Sequence, residues 1–112
     1  MASMSQESQS NDTSDVTILA APAASTTRMV PQGGIKICNN DTASATFTIQ
    51  KLLTGPADRL LEKAVTLAAG DTWTNSWFVN LDVATSTLQV FLSAAVTTNQ
   101  LDIDVSYRDE AQ

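Results

Sequence analysis

An all-β fold, a two-sheet antiparallel sandwich of about eight strands and of jelly-roll or immunoglobulin-like type, is predicted for this chain by three observations. Apolar residues alternate with polar ones in short period-two runs, the pattern of strands with one buried face. The runs are separated by Gly, Pro, Asn and Asp, residues that make tight turns. Ser and Thr number 26, while charged residues are only 16% of the chain against a usual ~25%. A surface solvated by hydroxyls suits strands and protein contacts. With 112 residues the chain has room for one core, so the organisation expected is a flexible N-terminal arm over 1–15 and a sandwich domain over 16–112.

The arm reads MASMSQESQSNDTSD and has no aromatic or β-branched hydrophobe to offset its ordering entropy. It is expected to be disordered alone and to become ordered on a neighbouring subunit, with Met1, Met4 and Gln6 as contact residues. Its removal is expected to leave the sandwich folded. Val16 to Leu19 is a short strand, and Thr26 to Val30 a second between Pro22 and Pro31, which mark strand ends. Gly33-Gly34 opens Ile35 to Asn39, and Asn39-Asn40-Asp41 is turn chemistry. Ala45 to Leu53 alternates clearly, with Phe47 and Ile49 on one face. Residues 59–67 fit a helix capped by Asp58 and closed by Gly70, or a strand with Leu61, Val65 and Leu67 inward and Lys63 as the exception; the flanking strands favour a strand. Trp73, Asn75, Trp77 and Val79 share the next inward face, followed by Leu88, Val90 and Leu92, and then Leu101, Ile103, Val105 and Tyr107.

The chain contains no His, which removes the commonest general base and the Ser-His and Cys-His nucleophile pairs. No catalytic residue, cofactor-binding residue or metal ligand is assigned, and the chain is not expected to be an enzyme. Six Lys and Arg against twelve Asp and Glu give a net charge of −6, which repels a phosphate backbone, so no nucleic-acid partner is expected. No apolar run reaches membrane-spanning length, and no membrane partner is expected. Residues 1–14 lack a signal-peptide pattern, so synthesis in a cytoplasm is expected. Cys38, the single cysteine, reads as a small buried hydrophobe. Asp102 and Asp104 share one face; they are read as an acidic stripe that keeps a sheet edge from pairing rather than as a calcium site. Trp73 and Trp77 either stack on sugars or anchor a core or subunit interface, and the second reading is preferred. Phe78 and Phe91 fall on the faces opposite their apolar neighbours, which points to a covered outer surface and to oligomer contact.

The stretches GGIKICNNDTASATFTIQKL, LLEKAVTLAAGDTW and STLQVFLSAAVTTNQLDIDVSYRDE resemble small β-sandwich virion proteins of tailed bacteriophages. The shared features are a strand ending in I-C-N, a polar turn into an A-T-F-T-like strand, a V-T-L-A-A-G-D-T turn and a closing strand pair, over roughly residues 34–107. The usual segment leading into the I-C-N strand is here reduced to Met29-Val-Pro-Gln-Gly33. The resemblance implies a structural component of a phage virion, most plainly a capsid decoration (cement) protein on the capsid exterior that bridges major capsid proteins or other virion proteins. It also implies a homo-oligomer, with a trimer as the symmetry. The alternative is a neck- or tail-attached fibre or a carbohydrate- or receptor-binding module.

Overall fold

The structure, a computed structural model, describes residues 4–52, 59–82 and 86–112. The elements are β1 (Met4–Ser10), β2 (Val16–Leu19), β3 (Thr26–Val30), β4 (Ile35–Asn39), β5 (Ala45–Leu52), β6 (Arg59–Leu67), β7 (Thr72–Thr74), β8 (Val79–Leu81), β9 (Thr87–Leu92) and β10 (Leu101–Ala111). Every pairing is antiparallel. The first sheet contains β1, β10, β4, β3, β7 and β8, and the second runs β2-β9-β5-β6. The predicted all-β sandwich is what the chain forms.

The pairing selects the jelly roll over the immunoglobulin-like alternative. β3 and β4 pair with successive stretches of β10, 108–111 and 101–105, and β8 and β7 pair with them in turn. Each couple is therefore one long strand with an interruption. Counted that way, the first strand pairs with the last, the second with the next to last, and so inward to β5 and β6. A hairpin nested like this and rolled into two sheets is the jelly-roll arrangement.

Three readings of the sequence are corrected by the structure. Met4–Ser10, expected within a flexible arm lying on a neighbour, is a strand of the chain's own sheet, in unbroken register from Met4 opposite Tyr107 to Ser10 opposite Leu101. Its inward side carries Gln6, Ser8 and Ser10, small or polar groups that leave no apolar signature but fit beneath the sandwich rim; Gln6 Oε1 accepts the Ala20 N–H at 2.9 Å. β10, whose Asp102 and Asp104 were read as an edge stripe, lies between β1 and β4. Cys38 is half-buried on the outer side of β4 rather than enclosed.

Between the sheets, Ile18, Leu19, Ile35, Ile37, Phe47, Ile49, Leu88, Val90, Leu92, Leu101 and Val105 are almost fully enclosed. Removing apolar surface from water in this way drives the fold, at roughly 25 cal/mol per Å². Residues 59–67 form a strand, as favoured, and Lys63 ceases to be an exception. Register shifts against β5 at two places, and Ala64 has φ 53°. These bulges turn Lys63 to solvent while Leu61, Val65 and Leu67 pack on the core.

The interruption of β3/β4 by 31–34 lies against that of β7/β8 by 75–78, where the sequence pattern suggested one continuous strand. Asn75 joins the two. Its Oδ1 accepts the Ile35 N–H at 2.8 Å, its Nδ2 donates to the Pro31 carbonyl at 3.0 Å and to the Trp77 carbonyl, and its own carbonyl accepts Gly33 N–H at 2.8 Å. Gly33 has φ +75°, and a Cβ on Gly34 would stand 2.9 Å from the Ser106 carbonyl oxygen and from Pro31 Cδ. Glycine is needed at both places, for conformation at one and for space at the other.

Candidate functional site

The sandwich has two long margins. β1 and β2 form one, joined by the Gln6–Ala20 hydrogen bond. β6 forms the other with β7 and β8, joined by Trp77 Nε1 donating to Glu62 Oε1 at 2.6 Å, and Lys51 Nζ of adjacent β5 donates to the Asn80 carbonyl at 2.8 Å. The sequence-selected contact residues divide between them. Trp73, Trp77 and Phe78 lie at the β6–β8 margin, Met4 and Gln6 at the β1–β2 margin, and Phe91 on the outer face of the second sheet. Met1 lies outside the described residues.

The two indoles fill the seam between the sheets. The Trp73 ring stands edge-on to Phe47, centroids 5.2 Å apart at 70°, and 6.4 Å from Trp77. Both are half-buried and packed against the core. Aromatic pairs in such geometry add about 0.5–1.5 kcal/mol beyond area burial. Phe78, the next residue, projects from the Asn75-stitched insertion and is 70% exposed, and Leu60 on neighbouring β6 is 49% exposed. An aromatic side chain held out by a rigid backbone loses little entropy when a partner covers it.

The outer face of the second sheet is free of charge along its centre. Phe91 stands opposite Thr48, Gln50 Nε2 donates to Gln89 Oε1 at 3.0 Å, and the Thr46 and Thr66 hydroxyls lie 3.0 Å apart. The outer face of the first sheet is acidic. Glu7, Gln9, Lys36, Cys38, Thr72, Asp102 and Asp104 line an open groove of about 680 Å³. Both Asp102 oxygens take amide donors, from Gln9 at 2.9 Å and Asn40 at 2.6 Å. Among the described residues no three His, Cys, Asp or Glu side chains are placed to hold a metal ion.

Sequence reasoning read Asn39-Asn40-Asp41 as a turn but missed that it anchors the end of the sandwich where the chain crosses between sheets. The side chain of Asn39 is buried; its Oδ1 accepts Asp41 N–H, and its Nδ2 donates to the Ala43 and Leu67 carbonyls. Asp41 then accepts the N–H groups of Thr97, Thr98 and Asn99 at 2.8, 2.8 and 3.1 Å. These donors favour the carboxylate and hold its pKa at about 2 against an ordinary 3.8. Because the folded-state pKa is the lower one, the stabilisation is complete above about pH 4 and is lost as pH falls toward 2. Thermal melts at pH 6, 4, 3 and 2 are expected to show the wild type losing more of its melting temperature below pH 4 than Asp41→Asn does. Parallel declines in the two proteins contradict this assignment.

No protein-family model matches the chain, and no curated protein sequence does. Solved structures share its fold. A chain in the structure of infectious bursal disease virus, Gx strain, superposes with a TM-score of 0.53 at 12% identity, covering 96% of this chain and 30% of that one. A chain of the T13 particle of the same icosahedral virus gives 0.50 at 10% identity, covering 98% and 35%. This chain thus spans about a third of the length of the chains it resembles, and its fold is that of a β-sandwich found within a virus particle.

Proposed function

We propose that this chain is a structural subunit of a virus particle. More narrowly, it is a decoration (cement) protein on the exterior of a capsid, as its sequence resemblance to tailed-phage virion proteins implies. The observation that carries the reading is the nested eight-strand pairing, alike over nearly the whole chain to a β-sandwich of an icosahedral virus particle. Its mechanism is mechanical. Subunits that bridge neighbouring capsid proteins add interface, and that interface opposes the outward pressure of the packaged genome. The low charge and the uncharged, Phe91-bearing face of the second sheet suit such contacts, since interface cores are depleted in charge and enriched in aromatics. The partners are a major capsid protein or another virion protein and further copies of this chain, with a trimer as the simplest arrangement. The chain is made in the host cytoplasm and attaches to the particle there.

Quantitative mass spectrometry and imaging of purified particles test this. The expected result is many copies distributed over the shell. A ring of a few copies at one vertex replaces the cement reading with a neck or tail role, and absence from the particle overturns the structural-subunit reading altogether.

A further inference from the structure

The two margins of the sandwich differ in charge. Lys51, Arg59 and Lys63, half of the six Lys and Arg in the chain, belong to β5 and β6, against one carboxylate on these strands, Glu62, which accepts from Trp77 Nε1. Arg59 and Lys63 are exposed, and among the described residues neither has an ion-pair partner. At the opposite margin the first 27 residues contain no Lys or Arg but do contain Glu7, Asp12 and Asp15, and Arg28, which reaches the Ala20 and Ala21 carbonyls there, is paired with Asp109. Apolar groups accompany both charges: Phe78 and Leu60 at the basic margin, and Met4, 39% exposed, at the acidic one.

Both margins also end in strand edges that no other described strand covers. β1 keeps unbroken register over seven residues, with no proline, cation or bulge to discourage another strand. β6 presents nine residues whose outer edge has no partner among the described strands. Like-with-like contact is disfavoured at each. Glu7 is the middle residue of β1 and Lys63 the middle residue of β6, so a centred β1–β1 or β6–β6 pairing sets each against its own copy.

We propose that this chain self-associates head to tail, the Arg59/Lys63/Phe78 margin of one copy docking against the Glu7/Asp15/Met4 margin of the next. The occupant of each margin is a second copy. Such a contact is heterologous, and it closes into a ring when the rotation per copy divides the circle. The charges steer and align the approach, and Phe78 with Leu60 supplies the apolar contact. The proposal specifies the self-contact within the assembly reading given above, but its test does not depend on particles.

Sedimentation of the full chain tests it, with variants whose melting temperatures match the wild type. The wild type is expected to associate, less so as salt rises. Arg59→Glu with Lys63→Glu, and separately Glu7→Lys with Asp15→Lys, are each expected to weaken association at least tenfold. All four substitutions together restore opposite charge across a head-to-tail contact and are expected to recover association; in a like-with-like contact they do not. Phe78→Ser, at an exposed position, is expected to weaken association without lowering the melting temperature. A wild type that stays monomeric, charge reversals without effect, or a fourfold variant that remains dissociated each overturns the proposal. None of these three results bears on whether the chain is found on particles, which the copy-number measurement decides.

Discussion

A chain lacking residues 4–10 is expected to lose its cooperative thermal transition. β1 pairs with β10 along its whole length, and its removal strips one ladder from the central strand of the first sheet. It also opens the inner side of Leu101, Ile103 and Val105 at the β1–β2 margin. Each net hydrogen bond is worth about 0.5–1.5 kcal/mol. With the lost cover, the total is on the order of 5 kcal/mol, comparable to the whole stability of a domain of this size. Circular dichroism during heating reads the result. A truncated chain with a sharp, little-shifted melt shows the strand to be a detachable arm, the outcome that composition alone suggested.

Asn75→Ala is expected to destabilise the fold strongly for the loss of one polar side chain. It leaves the buried Ile35 N–H and the Pro31 and Trp77 carbonyls without their side-chain partner. A buried backbone group left unpaired costs about 1–3 kcal/mol, so the sum is on the order of 3 kcal/mol where water reaches the carbonyls. Asn75→Asp is a sharper control. It keeps an acceptor for Ile35 but sets a carboxylate against two carbonyl oxygens, so it too is expected to destabilise. Denaturant unfolding of both measures the effect, and a loss below about 1 kcal/mol for both means the two interruptions hold without the amide.

What the sequence revealed follows from where its signals are local. Phe47 and Ile49, Leu88 to Leu92, and Leu101 to Val105 alternate because one face of each strand meets the core, and that periodicity is visible residue by residue. β1 is invisible to the same test, because Gln6, Ser8 and Ser10 face inward without being apolar. The choice between jelly roll and immunoglobulin-like order rests on pairings between distant segments, which periodicity does not encode. Asn75 did leave a trace as a polar residue on the face shared by Trp73, Trp77 and Val79. Read as one strand, that face hides the break; read as a buried amide needing partners, it marks it. Among the contact residues selected from the sequence, Trp73, Trp77 and Phe78 lie at one margin and Met4 and Gln6 at the other. Only the two edges of a rolled sheet reveal that separation.

The nested pairing also sets an order of events in synthesis. Gln9 and Asp102, hydrogen-bonded in the finished sheet, are 93 residues apart. At ~5–20 residues per second, β1 waits roughly 5 to 20 s after it is made for the strand it pairs with. An apolar strand left unpaired for that interval invites wrong partners and slow, error-prone closure. MSQESQS does not, since a hydroxyl- and amide-rich segment stays hydrated until β10 arrives. The polarity that conceals β1 from pattern reading thus lets that strand stay hydrated until β10 closes the roll.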